Sequence, residues 1–344
     1  MRRKKDVTLR DIADELQLTV HTVSKALRGL PGMSEATRKA VFMTAARLGY
    51  RTKERELSLG YEKIPLLTTN RRRFTIVLLQ DTPFYRTQLQ GVQERLHELG
   101  HTLTAHVLPE FTDGPKQLER WLEQAELTYS DGLFVPPAMP EPMESVLLRL
   151  PMPKVLISYP PPAAPVDSVI WDVETAIHQS VDHLVAKGHR RLLYIGDIRS
   201  RRGFRLRWSA FQAALRRHGI EAADEPMTEL PTTPEQWRKE LEERLRSGGY
   251  TAILHATGNT LNTLLFVLQS LGLSVPNDIS LVSMPDLEDP RFPQLSRPSL
   301  LIRETGRRAA ERLLWRIANP AEPYEHTRLA GTFIAGETVA DLTR

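Results

Sequence analysis

The chain has 344 residues, 41% of them hydrophobic and none of them cysteine, which is enough material for two or more packed units and excludes disulfides, cysteine zinc sites and thiol chemistry. Its net charge of +4 is uneven: residues 1–60 hold 13 Lys+Arg against 7 Asp+Glu, so the rest is slightly acidic, a distribution suited to a polyanion-binding head or to a solvated basic tail. Charged residues Asp6, Arg10, Asp11, Asp14 and Glu15 stand where a signal core would be apolar, and no run approaches the roughly 20 apolar residues of a membrane span, so a cytoplasmic protein with no membrane contact is expected.

In chain order, the first 50 residues predict three short helices. Thr8 caps a helix over Leu9 to Leu16 with Ile12, Ala13 and Leu16 as its apolar stripe. Thr19 caps a second helix whose periodicity puts Val20, Val23, Ala26 and Leu27 inward and His21, Thr22, Ser24, Lys25 and Arg28 outward; Gly29-Leu30-Pro31-Gly32 ends it. Ser34 opens a third helix to about Leu48, with Ala36, Ala40, Val41, Ala45 and Leu48 on its buried side.

Residues 61–73, ending in Arg71-Arg72-Arg73, read as a linker. From Phe74 onward, strand-length apolar runs alternate with amphipathic helices. Strands are expected at Phe74 to Gln80, Gly132 to Val135, Lys154 to Ser158, Arg191 to Gly196, Thr251 to His255 and Ile279 to Met284. Helices are expected over Thr87 to Leu99, Thr175 to Lys187, Leu206 to His218, Glu235 to Arg246 and Thr260 to Leu271. The fold class is therefore α/β: an all-α head followed by parallel sheets covered on both faces, in two similar lobes because the units exceed one comfortable sheet.

Val7-Thr-Leu-Arg-Asp-Ile-Ala-Asp, Leu18-Thr-Val-His-Thr-Val-Ser-Lys-Ala-Leu and Ser34-Glu-Ala-Thr-Arg-Lys-Ala-Val closely resemble the helix-turn-helix head of the LacI/GalR family. Gln90-Gly91-Val92, Ser130-Asp131-Gly132-Leu133, Asp182 to Arg191, Leu271 to Ser280 and Ala335-Gly336-Glu337-Thr338 resemble its core in the same order. The resemblance implies a transcription regulator acting as a repressor, with a head and hinge over residues 1–60. Its core over 74–344 would be like periplasmic binding proteins, with one lobe at about 74–171 and 303–328 and the other at about 172–302 and 329–344. Implied partners are a near-palindromic double-stranded DNA operator, a second copy of the chain as a homodimer, and a small-molecule effector; no cofactor is implied.

By position in the family motif, Val20, His21 and Lys25 should face base edges in the major groove, while Thr8, Thr19, Thr22, Ser24, Arg28, Ser34 and Thr37 should reach phosphates. Thr8, Thr19 and Ser34 are expected to be helix caps whose backbone donors also face the DNA, rather than caps alone. Tyr50 and Leu59 complete the DNA-facing set, Leu59 matching the leucine that family hinges wedge into the minor groove. Thr52, Lys53 and Glu56-Leu57 depart from the family hinge pattern, and Glu54 and Glu56 would sit unfavourably near phosphates.

The resemblance places an effector at Asp81, Phe84, Tyr85, Ser158, Trp171, Arg207, Thr257 and Asp286. Arg207 matches the ligand-clamping arginine, whereas acids usual in the family are replaced at Thr257, Gly258 and Pro285. With Arg205 and Arg207 kept and acids lost, an anionic effector such as a phosphorylated sugar or a carboxylate is favoured; an Arg207 tied up inside the cleft is the alternative. Phosphate-loop, Gly-x-Gly-x-x-Gly, Gly-x-Ser-x-Gly and His-Glu-x-x-His patterns are missing, which counts against an enzyme; catalytic and metal-binding residues are not expected. His178, His183 and His189 are spaced around a helix as surface or capping residues. A solute-binding protein or a sugar-processing enzyme on the same scaffold is the rival reading.

Overall fold

Three helices open the chain, α1 (Leu9–Leu16), α2 (Val20–Leu27) and α3 (Glu35–Leu48). The structure is a computed structural model, and it describes residues 7–27, 32–48, 50, 71–108, 117–118, 121–122, 130–221, 226–227, 233–257, 260–284 and 294–343. Ile12, Ala13, Val23, Ala26, Val41 and Ala45 form the small core of the head. Two expectations from periodicity are corrected. Val20 is 43% exposed, because the first turn of α2 projects beyond that core, and Ala36 is exposed with Ala40 half-buried, because α3 turns Val41, Thr44 and Ala45 inward instead.

The first lobe is a six-stranded parallel sheet in the order β10-β5-β4-β3-β1-β2. Its strands are β1 (Arg73–Leu78), β2 (Thr102–Val107), β3 (Gly132–Val135), β4 (Lys154–Leu156), β5 (Asp167–Trp171) and β10 (His326–Leu329). Helices α4 (Pro83–Glu98), α5 (Glu141–Arg149) and α10 (Ile302–Ala318) belong to it. The second lobe centres on parallel β6 (Leu192–Ile195), β7 (Ala252–His255) and β8 (Ser280–Ser283). Helices α6 (Val173–Ala186), α7 (Arg202–Arg217), α8 (Pro234–Gly248) and α9 (Leu261–Ser270) complete it, with the antiparallel pair β9 (Arg297–Pro298) and β11 (Phe333–Ile334).

Differences from expectation have local causes. Helices α4, α6, α7 and α8 start earlier than their apolar periodicity because Thr82, Asp172 and Thr233 cap three of them and Arg201 precedes the fourth. Strands β2, β5, β9, β10 and β11 and helices α5 and α10 lie outside the expected elements. β2 and β10 lie at sheet edges, where polar residues alternate, and buried Asp167 and Ser168 mask β5. His189 is not a surface residue: it is 1% exposed and bridges Thr251 Oγ1 (2.9 Å) and the Ala340 carbonyl (3.1 Å), so it fastens the last segment to the second lobe. His183 is half-buried against the Phe333 ring, 4.6 Å between centroids.

The chain passes between lobes three times. Asp172 N donates to Leu329 O (2.8 Å) and Ser299 N to Thr332 O (2.9 Å), so the crossing segments run side by side. Helices α4 and α10 touch backbone to backbone where Gly91 faces Arg303 O and Gly306 faces Gln88 O, with no room for a Cβ at either place. Arg95–Glu311 (2.8 Å) and Arg303–Glu94 (2.7 Å) flank this contact.

Gly306→Ala pits helix propensity against overlap. Alanine gains about 1 kcal/mol as a helix former. Its Cβ would collide with backbone that cannot rotate away, and such overpacking costs about 3 kcal/mol. A net loss of about 2 kcal/mol is expected from urea unfolding, with the same direction for Gly91→Ala.

Candidate functional site

Two regions carry the residues singled out above. In the head, each helix begins with a hydroxyl that turns back on its own first turn. Thr8 and Asp11 form a reciprocal capping box, Thr8 N donating to Asp11 Oδ2 (2.6 Å) and Asp11 N to Thr8 Oγ1 (3.4 Å). Thr22 N donates to Thr19 Oγ1 and Thr37 N to Ser34 Oγ, both at 3.1 Å. The hydroxyls of Thr22 and Thr37 also pair with their caps, at 2.8 Å and 2.7 Å. These hydroxyls are therefore caps, and they leave positive helix ends at Thr19 and Ser34 where an anion is favoured.

Val20 and His21 are exposed on α2, while Thr22, Ser24 and Lys25 are half-buried. The Lys25 ammonium lies beside Gly32, so the side chain folds along the turn rather than straight outward. Tyr50 packs against the head core. Arg28 and Leu59, and with them the hinge, lie outside the described residues, as does Asp286 in the second region.

That second region is the cleft between the lobes, bordered by the carboxyl ends of β1, β4 and β5 on one side and of β6, β7 and β8 on the other, where open α/β sheets take ligands. Asp81 stands at its exposed rim and is bound through two bonds by Arg86 (2.6 and 2.7 Å), which hold its carboxyl below the usual range. Phe84 sets its edge on Trp171 and on Tyr85, with centroids at 5.6 and 5.1 Å. Tyr85 is buried and donates to Pro137 O (3.1 Å), so its hydroxyl is engaged within the first lobe. Ser158 is half-buried just past β4, and Thr257 is 6% exposed just past β7.

Trp171 and Arg207 differ from these in one respect. The indole Nε1 of Trp171 and the Nε of Arg207 are both buried without a hydrogen-bond partner. Arg207 is 5% exposed; it donates one bond, from Nη1 to Ala256 O, and its guanidinium stands 5.2 Å over the Phe204 ring. Among the described residues no carboxylate pairs with it. Arg205, counted with Arg207 above, is corrected: it is exposed and spends its guanidinium on Glu141 (3.3 Å) and Arg199 O (2.9 Å).

Three features of the cleft had no place in the sequence reading. Tyr159 donates its hydroxyl to Trp171 O (3.0 Å) and accepts from Val173 N (2.9 Å), tying β4's end to the first crossing; burial pushes this phenol up to about 12. Asp197 is 7% exposed; burial pushes its carboxyl up, but the Ser200 hydroxyl and the Arg199 and Ser200 amides outweigh this and hold it below the usual range. The Asp-x-x-Ser spacing after a strand could have signalled that turn. Glu144 and Arg202 meet across the cleft from 58 positions apart, and no local pattern signals such a pair. No three potential metal ligands cluster among the described residues.

A model of a periplasmic binding protein-like domain matches residues 181–339. Catabolite control protein A of Priestia megaterium is 24% identical over 301 residues, 86% of each chain. The ribose operon repressor of Haemophilus influenzae is 22% identical over 97% of this chain and 99% of its own. The transcriptional repressor PurR of Aliivibrio salmonicida is 23% identical over 90% and 92%. Among solved structures, a complex of the transcriptional regulator CelR with cellobiose has a TM-score of 0.66 at 22% identity, covering 96% of this chain and 99% of its own. A lac repressor dimer bound to operator and an anti-inducer has 0.65 at 21%, covering 98% and 100%; both share the fold.

A guanidinium buried beside one carbonyl has lost its hydration without gaining a counter-charge. Replacing an uncompensated buried charge by an apolar chain of similar length is neutral to stabilising. Arg207→Met should therefore leave the ligand-free protein at least as stable as the parent, with a gain of about 1 kcal/mol in urea unfolding. A clear loss would mean that Arg207 is paired.

Proposed function

We propose that the chain is a transcription regulator of the LacI/GalR family, a DNA-binding repressor whose operator affinity is set by a small molecule held between the two lobes. Residues 1–60 are assigned as the reading head with its hinge, 61–73 as linker, and 74–344 as the sensing core. One lobe takes about 74–171 and 303–328, the other about 172–302 and 329–344. The role is regulatory rather than catalytic, and acts in the cytoplasm, where an operator is found. Relatives whose full length this chain matches are named as repressors, and one fold neighbour is an operator complex.

The observation that carries the reading of the head is the pair of open helix ends at Thr19 and Ser34, flanking an α2 with Val20 and His21 outward. Thr8, Thr19, Thr22, Ser24, Ser34 and Thr37 then hold phosphates, with Arg28, Tyr50 and Leu59 as further contacts; Val20, His21 and Lys25 read bases. Lys25 must swing away from Gly32 to do so, which a four-carbon stem permits. A homodimer on a two-fold site is supported by the fold neighbour that is a lac repressor dimer bound to operator.

In the cleft, the two unpartnered donors, Trp171 Nε1 and Arg207 Nε, call for a ligand rich in acceptors, and the uncompensated charge of Arg207 favours an anion. The effector class is thus a phosphorylated sugar or small carboxylate, with Ser158, Thr257, Phe84 and Asp286 beside it. Asp81 and Tyr85 border the site but are already engaged.

Selection from randomised duplexes with the full chain should return an inverted repeat bound by two chains. Lys25→Ala should relax the preference at its position, at about 1–3 kcal/mol per lost base contact, whereas Ser34→Ala should weaken all sequences alike. A Lys25→Ala protein with unchanged sequence preference would displace α2 from the reading role. For the cleft, hexose phosphates and small carboxylates should raise the melting temperature and shift affinity for the selected duplex together, and Arg207→Met should lose both responses. A neutral sugar acting equally on parent and Arg207→Met would refute the anionic assignment.

A further inference from the structure

Helix α7 starts in an electrostatically awkward way. Arg201 precedes it without a side-chain cap, Arg202 and Arg205 occupy its first turn, and no acidic residue is there to meet the positive helix end. Helix α5, in the other lobe, starts with Glu141 and Glu144 in its first turn. The two starts face each other. Arg202 Nη2 lies 2.6 Å from both oxygens of Glu144, and its Nε donates to Tyr159 O at 2.8 Å. Glu141 takes a longer contact from Arg202 Nη1 (3.5 Å) and one from Arg205 (3.3 Å).

Each polar contact recorded for the Arg202 guanidinium is to the lobe that does not contain it. The pair is also shielded from water, with side-chain exposures of 16% for Arg202 and 3% for Glu144. Burial works against the charge on Glu144 and pushes its carboxyl up, while Arg202 opposes that rise. Separating the lobes would rehydrate both partners, and the desolvation regained offsets much of the attraction lost. Such a pair holds a conformation without making it irreversible.

We propose that Glu144 and Arg202, flanked by Glu141 and Arg205, form a latch that keeps the two lobes closed in the ligand-free protein. The cleft is then biased toward its closed arrangement before any ligand arrives, and the strength of the latch sets how much differential affinity a ligand must supply to change the balance. The regulatory consequence rests on the proposed function of the cleft; the latch itself does not.

The test uses the full chain without ligand or DNA. Because the sequence has no cysteine, Ser145→Cys on α5 and Ser209→Cys on α7, both exposed, can be spin-labelled cleanly and their separation measured by pulsed electron resonance in chains diluted with unlabelled protein. The parent should give one short distance. Glu144→Gln and Arg202→Met should each populate a longer one, the closed-to-open ratio falling about tenfold, within the range of a single coupling. The exchange Glu144→Arg with Arg202→Glu should restore the short distance at least in part. If Glu144→Gln or Arg202→Met fails to fold, as judged by circular dichroism, Arg202→Lys keeps the charge but loses the fork and gives the same readout. An unchanged short distance in every folded variant would overturn the latch while leaving the regulator assignment untouched, since neither operator nor effector enters the measurement.

Discussion

The first lobe closes on a single carboxylate. Asp167 opens β5 with no exposure to solvent and receives Arg312 Nε (2.8 Å), Arg316 Nε (2.5 Å) and the amide of Glu325 (2.9 Å). Those partners come from α10 and from the approach to β10, chain that arrives only after the second lobe has been built. Arg316 also donates to the carbonyls of Asn319, Glu322 and Pro323, and Trp315 and Tyr324 stack against the two guanidiniums at 3.9 and 4.6 Å. One buried acid thus anchors the returning chain. Removing one member of such a network typically costs about 3–5 kcal/mol, because the charges left behind stay buried.

With α10 and β10 fixed there, the crossing segments have little freedom elsewhere. The amide of Asp172 reaches Leu329 O, and the Asp172 side chain caps α6 through Glu174 N and Thr175 N, so the first crossing ends in a rigid helix start. Tyr159 braces the same corner from β4. The cleft is therefore walled by stiff strand ends and bridged by a narrow set of backbone hydrogen bonds. Motion between the lobes has to be taken up in those few crossing residues, as in hinged closure around a ligand.

Legibility in the sequence tracked how local each feature is. The three head helices were readable because Thr8, Thr19 and Ser34 each act within three residues of themselves, and the parallel sheets because β6, β7 and β8 are continuous buried apolar runs. Val20 and Ala36 were misread because periodicity cannot tell which turn of a short helix extends past a small core. β5 was hidden because its first residue is a buried acid that makes sense only beside Arg312 and Arg316, more than 140 positions away. In the cleft, resemblance singled out Arg207, but it could not show that the neighbouring Arg205 is engaged by Glu141 and by Arg199 O. Glu141 lies in the other lobe, beyond the reach of any local pattern.

The contrast between Arg202 and Arg207 connects structure to regulation. They sit on one helix, five residues apart and therefore more than one turn. Arg202 is neutralised by Glu144 of the opposite lobe, whereas Arg207 is buried with no carboxylate among the described residues. On the proposed assignment, the protein's own acid does at Arg202 what an anionic ligand does at Arg207. Both then favour the closed arrangement. A ligand of equal affinity for open and closed forms would shift nothing, so selectivity must come from contacts available only when the lobes meet. Trp171 meets that requirement: its unpartnered Nε1 lies at the end of β5, where the first crossing begins, so a ligand held jointly by Trp171 and Arg207 draws on both lobes at once.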